Sequence, residues 1–304
     1  MRKSILFLTV GVMALTMLSV TSCKKKDGVF NPKEKIHKVY YERTYVDSLG
    51  KSTVSEKKNL KQIYRWDKNK LIQIENGGGW SYYFTYDGTQ VSKVEVGDYA
   101  VINFKYDKAD LKTIEVMDAR ENRSIAVITV TERNDRKITK YSVDSYTYID
   151  DDASTKSNNV TEKLYPIMKM LLSDQVAERM CNTMVKETKA HKATTTINTN
   201  KYELTFDGNN VKEVKEILKD TTHTTVYTYD SKKNPYYSAL FLGVNNILSN
   251  QSENNVASHY NIVNHDKVVK YEFTYTGDYP ATRTVKTKVG SLTSVEVDSY
   301  EYME

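Results

Sequence analysis

Three segments of this chain align without gaps at a spacing of 20 residues: Tyr64-Arg65-Trp66-Asp67, Phe84-Thr85-Tyr86-Asp87 and Phe104-Lys105-Tyr106-Asp107. Each is followed by a second short run in which apolar and polar residues alternate, beginning at Leu71, Val91 and Leu111. Ile102, Phe104 and Tyr106 fall on one side of an extended chain and Asn103 and Lys105 on the other, so each run reads as a strand with one wet face. The pattern returns at Leu204-Thr205-Phe206-Asp207, at Tyr227-Thr228-Tyr229-Asp230 and, with the aspartate displaced, at Phe273-Thr274-Tyr275-Thr276. Turns rich in Asp, Asn and Gly, such as Asp87-Gly88-Thr89-Gln90 and Asp207-Gly208-Asn209-Asn210, separate paired runs, which makes one repeat one hairpin. Strand-like runs without this punctuation occupy 122–148 and 256–269. Roughly 12 to 14 strands are predicted, more than a flat sheet holds, and the fold class is mainly β: an antiparallel meander forming a curled sheet or soluble barrel.

Two segments interrupt the alternation. Residues 162–187 carry Leu164, Ile167, Met168, Leu171 and Leu172, then Val176, Met180 and Met184, at spacings of three and four that predict an inserted helical segment. Its expected place is over an open end of the sheet. After Asn234-Pro235, the run from Tyr236 to Gly243 is too apolar for a free loop and predicts a short plug helix.

Most strand-like runs are nearer 5 to 7 residues than the roughly 9 to 11 that a membrane-crossing strand needs, which favours a barrel with its apolar face inward. The amino end carries a different signal. Arg2 and Lys3 precede an apolar run from Ile5 to Val20 that is broken by Thr9, Gly11, Thr16 and Ser19, so 1–22 reads as a cleaved secretory signal rather than a retained span. Val20-Thr21-Ser22-Cys23 resembles the lipobox of bacterial lipoproteins, and the resemblance implies that Cys23 is acylated and becomes the first mature residue. Residues 23–35 are then a lipid-anchored linker and 36–304 a single β domain.

Formal charge is +5 over 304 residues and falls to +3 once Arg2 and Lys3 leave. With no basic stripe beyond Lys24-Lys25-Lys26, a nucleic-acid partner is not expected. Those lysines adjoin the acyl chains, where contact with anionic headgroups is their expected work. With Cys23 acylated, Cys181 is the remaining thiol, and its neighbours Val176, Met180 and Met184 make it a structural one.

Aromatic-x-Tyr-Asp followed by a polar turn resembles the YD repeat, and Tyr229-Asp230-Ser231-Lys232-Lys233-Asn234-Pro235-Tyr236-Tyr237 is similar to a segment common in Bacteroidetes lipoproteins of unknown function, described as porin-like in fold. The resemblance covers most of the chain after Tyr64 and implies a fold without an activity. Surface-exported lipoproteins of that phylum tend to carry acidic residues after the cysteine, whereas Lys24-Lys25-Lys26-Asp27 stands here. Together with the missing inner-membrane retention residue, this implies an outer-membrane anchor facing the periplasm, with surface display as the alternative.

The repeated aspartates Asp67, Asp87, Asp107, Asp207 and Asp230 invite an acid–base reading, but turn closure explains all five copies and a catalytic pair only two. The histidines His37, His191, His223, His259 and His265 lack metal-ligand spacing, Asp150-Asp151-Asp152 lacks the pattern of a calcium loop, and Gly77-Gly78-Gly79 precedes a strand rather than a helix. No metal and no cofactor is expected. The chain carries 24 tyrosines against 7 phenylalanines, a bias suited to cross-strand packing and to surfaces for sugars or amphipathic molecules. If a ligand binds, the aromatic set near the plug is the expected contact: Trp66, Trp80, Tyr82, Tyr236, Tyr237 and Phe241.

The leading expectation is a non-catalytic, lipid-anchored cell-envelope module for binding or scaffolding, held to the membrane through Cys23, its ligand left open with a glycan or a lipid as the candidate classes. A periplasmic carrier of an apolar or lipid ligand under the Met-rich helix is the first alternative and an envelope hydrolase the second. A carrier requires an empty apolar cavity and an enzyme requires converging polar side chains in one cleft.

Overall fold

In the computed structural model, residues 26–77, 79, 81–148, 195–239, 251–262 and 264–304 are described. They form sixteen strands: β1 (Ile36–Val46), β2 (Ser52–Asp67), β3 (Lys70–Asn76), β4 (Ser81–Asp87), β5 (Gln90–Val96), β6 (Ala100–Asp107), β7 (Asp110–Asp118), β8 (Arg123–Asn134), β9 (Lys137–Tyr148), β10 (Thr195–Asp207), β11 (Asn210–Ile217), β12 (Thr222–Lys233), β13 (Asn254–Asn261), β14 (Asn264–Thr276), β15 (Tyr279–Val289) and β16 (Leu292–Tyr302). Each strand pairs with its neighbours in sequence, and β1 pairs antiparallel with β16, so the meander closes into a barrel without sheet edges. The count exceeds the expected 12 to 14. The weakly punctuated runs 122–148 and 256–269 account for part of the difference, contributing β8, β9, β13 and the start of β14.

The predicted helical insertion at 162–187 lies outside the described residues, as do Cys23, Cys181 and residues 240–243 of the predicted plug. Residues 235–238 form turns rather than a helix. They still act as a plug, because Tyr236 and Ala239 are buried in the core.

The inward phase is mainly apolar through β3–β11, with Leu71, Ile74, Phe84, Val91, Val94, Ile102, Phe104, Leu111 and Ile114 all in one continuous core and Ser145 and Glu216 buried beside it. The outward phase of these strands and of the end of β2 carries ion pairs, Arg65 with Glu75, Lys93 with Glu95, Lys105 with Glu115, and Lys140 with both Glu132 and Glu203. A barrel crossing a bilayer turns an apolar band outward, and a lysine at the membrane midplane costs about 2–4 kcal/mol. This wall has the opposite polarity.

At one end of the barrel, two-residue turns join β2 to β3, β4 to β5, β6 to β7 and β10 to β11. The first turn residue takes a positive φ of 53–59° at Lys68, Gly88, Lys108 and Gly208, as a tight hairpin with the right twist demands. Asp67, Asp87, Asp107 and Asp207 stand at the exposed corners of these turns. Asp230 departs from them: its carboxylate accepts the Lys232 amide at 2.9 Å, the Asn255 amide at 3.3 Å and the Tyr275 hydroxyl, tying β12, β13 and β14 together.

Between hairpins the ladders stop short of this end. The β3–β4 ladder reaches only Gln73, the β5–β6 ladder Lys93 and the β11–β12 ladder Glu213, so the hairpins splay and the backbones of Leu71, Val91 and Val211 have no partner strand on that side. These residues are nonetheless fully buried, where an unpaired carbonyl or amide is costly. Each hairpin also slips register at its aromatic residue, between Arg65 and Trp66, Thr85 and Tyr86, and Lys105 and Tyr106. Beyond that slip, the Tyr86 hydroxyl donates to the Leu71 carbonyl at 2.8 Å, Tyr106 to Val91 at 2.7 Å and Tyr229 to Val211 at 2.6 Å. Tyr302 does the same for Pro280 and the Trp66 indole for Ile36, both at 2.9 Å. The tyrosine bias therefore has a backbone cause at these positions: phenylalanine would pack as well and leave the carbonyl bare.

Tyr106→Phe is expected to lower stability by about 1–3 kcal/mol, the cost of stranding a buried carbonyl. Tyr83→Phe, at a half-exposed ring on the outer wall, should stay within about 0.5 kcal/mol. Urea unfolding of both variants makes the comparison.

Candidate functional site

The inner wall has two unlike arcs. Along β3–β11 it is mainly apolar, its core side chains retaining 0–8 % of their surface, with Ser145 and Glu216 as buried polar residues and Glu216 accepting the Tyr202 hydroxyl at 2.8 Å. From β12 round to β2, aromatic and charged residues take the inward phase. On β16 the register that brings Tyr300 into the core brings Asp298, Glu296 and Ser294 to the same face. Opposite them on β1 stand Tyr41, Arg43 and Tyr45, and on β15 Arg283 faces Asp298.

Three cations and three carboxylates meet on β15, β16, β1 and β2. Asp298 accepts from the Arg283 guanidinium and from Lys61 Nζ at 2.8 Å. Arg43 donates from Nε to Glu296 and from Nη1 to Glu56, each at 3.2 Å. Arg43 and Lys61 lie 5.4 and 5.2 Å from the centroid of the Tyr41 ring, and Arg283 lies 5.7 Å from that of Tyr271. Tyr271 Oη is 3.5 Å from His259 Nδ1, and His259 in turn packs against Tyr227.

Burial works against charge on both Asp298 and Arg283, yet their mutual field, helped by Lys61 at Asp298 and by Tyr300 at Arg283, lowers the Asp298 pKa and raises that of Arg283. Burial and Glu296 push the Tyr41 phenol up to about 12. The group grades from dry to wet: the Asp298 side chain is 5 % exposed, while Arg43, Glu296 and Glu56 range from 32 to 44 %. Solvent therefore reaches the inner wall at Arg43 and fades toward Asp298.

The Ser294 hydroxyl oxygen is buried without a hydrogen-bond partner, and the buried Tyr41 hydroxyl adjoins the Arg43 guanidinium. A buried ion-pair network contributes little that a packed apolar wall would not, so its presence along one arc marks that arc as the candidate site. Among the described residues, no three His, Cys, Asp or Glu side chains gather as a metal site.

The aromatic set expected from the sequence is divided. Trp66 packs on Phe30 at 5.6 Å with its indole committed to Ile36. Tyr236 is buried and its hydroxyl joins those of Tyr64 and Tyr300, while Tyr82 is buried beside Asn76 with its phenol pushed up to about 12 by burial. Tyr237, 36 % exposed, reaches the surface. Trp80 and Phe241 lie outside the described residues. The polar arc was missed because its signal is one of phase: Glu296 and Asp298 alternate with valine and serine in step with the buried Tyr300, which puts charge on the inward side.

No protein-family model matches the chain, and no curated protein matches it. Among solved structures it is similar to the crystal structure of a porin-like protein from Bacteroides vulgatus ATCC 8482, with 12 % identity and a TM-score of 0.45 over 89 % of this chain and 99 % of that one. It is also similar to a porin-like protein from Bacteroides uniformis ATCC 8492, with 8 % identity and a TM-score of 0.35 over 88 % of this chain and 98 % of that one.

Asp298→Ala leaves Arg283 and Lys61 without their shared carboxylate and should cost about 3–5 kcal/mol. Because folding lowers the Asp298 pKa, its contribution is complete above the ordinary aspartate range and disappears as pH falls through the lowered value. In urea titrations the gap between wild type and variant should be widest near neutrality and narrow on acidification.

Proposed function

We propose that this chain is a non-catalytic binding module of the cell envelope, tethered to the outer membrane through acyl chains on Cys23. We assign its ligand contact to the polar arc around Tyr41, Arg43, Glu296 and Ser294. The observation that carries the reading is a charge-balanced and partly wet set of ion pairs beside the Tyr41 ring and the buried, unpartnered Ser294 hydroxyl. Balanced charge offers no net pull on an ion. Paired carboxylates, guanidinium groups, hydroxyls and an aromatic face suit an uncharged ligand rich in hydroxyl groups, and a glycan is the class we propose.

The test is a thermal-shift screen of the chain from Cys23 onward with Cys23→Ser, against glycans and fatty acids. A glycan should raise the melting temperature of this form, and the shift should vanish in Tyr41→Phe/Ser294→Ala. A shift with fatty acids alone would replace this reading with the carrier.

A further inference from the structure

The chain just after the proposed anchor is fastened to one end of the barrel. The Asp27 amide donates to the Ala109 carbonyl at 2.8 Å, and the Asp27 carbonyl accepts from Gln90 Nε2 at 2.9 Å. The Asp27 carboxylate accepts the Leu111 amide at 2.9 Å and Arg133 Nη2 at 2.6 Å, an ion pair whose side chains are 17 and 13 % exposed. Gly28 takes the Val91 amide on its carbonyl at 3.0 Å. It does so at a φ of +71°, where a β-carbon would collide with the Tyr106 hydroxyl. Phe30 is then buried against Trp66, and Lys35 closes the stretch by accepting the Met303 amide at 2.8 Å. All of these partners belong to the end with the two-residue turns.

Cys23 precedes Asp27 by four residues, which fully extended span at most about 14 Å. The eleven-residue strands β1 and β16, tilted as barrel strands are, make the wall about 25–30 Å tall. The anchor's reach is about half that height. We infer that the barrel stands on the bilayer with its two-residue-turn end against the lipid headgroups, and that the opposite end faces away from the membrane. That opposite end carries the 47–51 turn and the junction of Tyr148 with Thr195, where residues 149–194 leave and rejoin the wall. Of the polar arc, Arg43, Glu296 and Glu56 lie farther toward that end than Asp298 and are more exposed, while Ser294 beyond them is buried. The inference rests on the acylation of Cys23 proposed above.

The experiment uses full-length acylated protein carrying Cys181→Ser, reconstituted in phosphatidylethanolamine–phosphatidylglycerol vesicles, with acylation of Cys23 checked by mass spectrometry. A bimane label is placed at Thr89→Cys on the membrane-side turns or at Leu49→Cys on the opposite turn, both exposed. With a nitroxide on the lipid headgroup, quenching should be several-fold stronger at position 89 than at 49. A 20-residue Gly/Ser insert between Lys24 and Lys25, adding a mean reach of about 25 Å, should narrow that difference. Equal or reversed quenching on acylated protein overturns the orientation and leaves the anchor standing. An unmodified Cys23 overturns the anchor, and the orientation with it.

Discussion

The five hairpins from β2–β3 to β10–β11 bury peptide groups that their neighbours do not reach. Apolar residues at 71, 91, 111, 138 and 211 draw the splayed strand starts into the core, and the backbone atoms that accompany them must be satisfied there. The chain meets this need with what lies nearby: a tyrosine from the next strand for the carbonyls at 71, 91 and 211, Arg133 for the carbonyl at 111, and Gln251 and Ser252 for the amides at 138 and 211. The Asp27 carboxylate and the Gly28 carbonyl accept from the amides at 111 and 91. The tyrosine content, the register slip in each hairpin and the docking of the amino-terminal stretch are three answers to one requirement.

The opposite arc of the wall follows a different logic. There the inward phase is given to Arg283, Asp298, Lys61, Arg43 and Glu296, which hold one another in place through charge. Such a network fixes geometry more than it adds stability, because most of the attraction is offset by the water each ion gives up. The apolar arc settles the shape of the barrel. The polar arc gives its interior a chemistry that a packed core lacks.

Much of this architecture is legible in the chain alone. Period-two alternation and the aromatic-x-Tyr-Asp turns mark the hairpins from 64 to 116 and from 202 to 217, and the alternating phase gives an apolar interior. Closure is not legible, because it joins 36–46 to 293–302, segments with no repeat punctuation and nearly the whole sequence between them. Asp230 reads as another turn aspartate, yet it serves as a three-strand tie, since its partners Asn255 and Tyr275 come from later strands. Trp66 and Tyr236 read equally well as ligand contacts or packing until the indole and hydroxyl partners are known. The polar arc emerges only when charge is read together with phase.

Closure by the first and last strands also governs how the molecule comes into being. While the chain is incomplete, β1 and the most recently formed strand each present a row of unsatisfied peptide groups, the template on which sheets of different molecules join. The contact that removes both rows has the longest loop to close in the whole fold, so local hairpins form early and the seam last. A chain released before residue 293 would keep its hairpins and lose its protection, which makes β16 the safeguard of the barrel against edge-to-edge association.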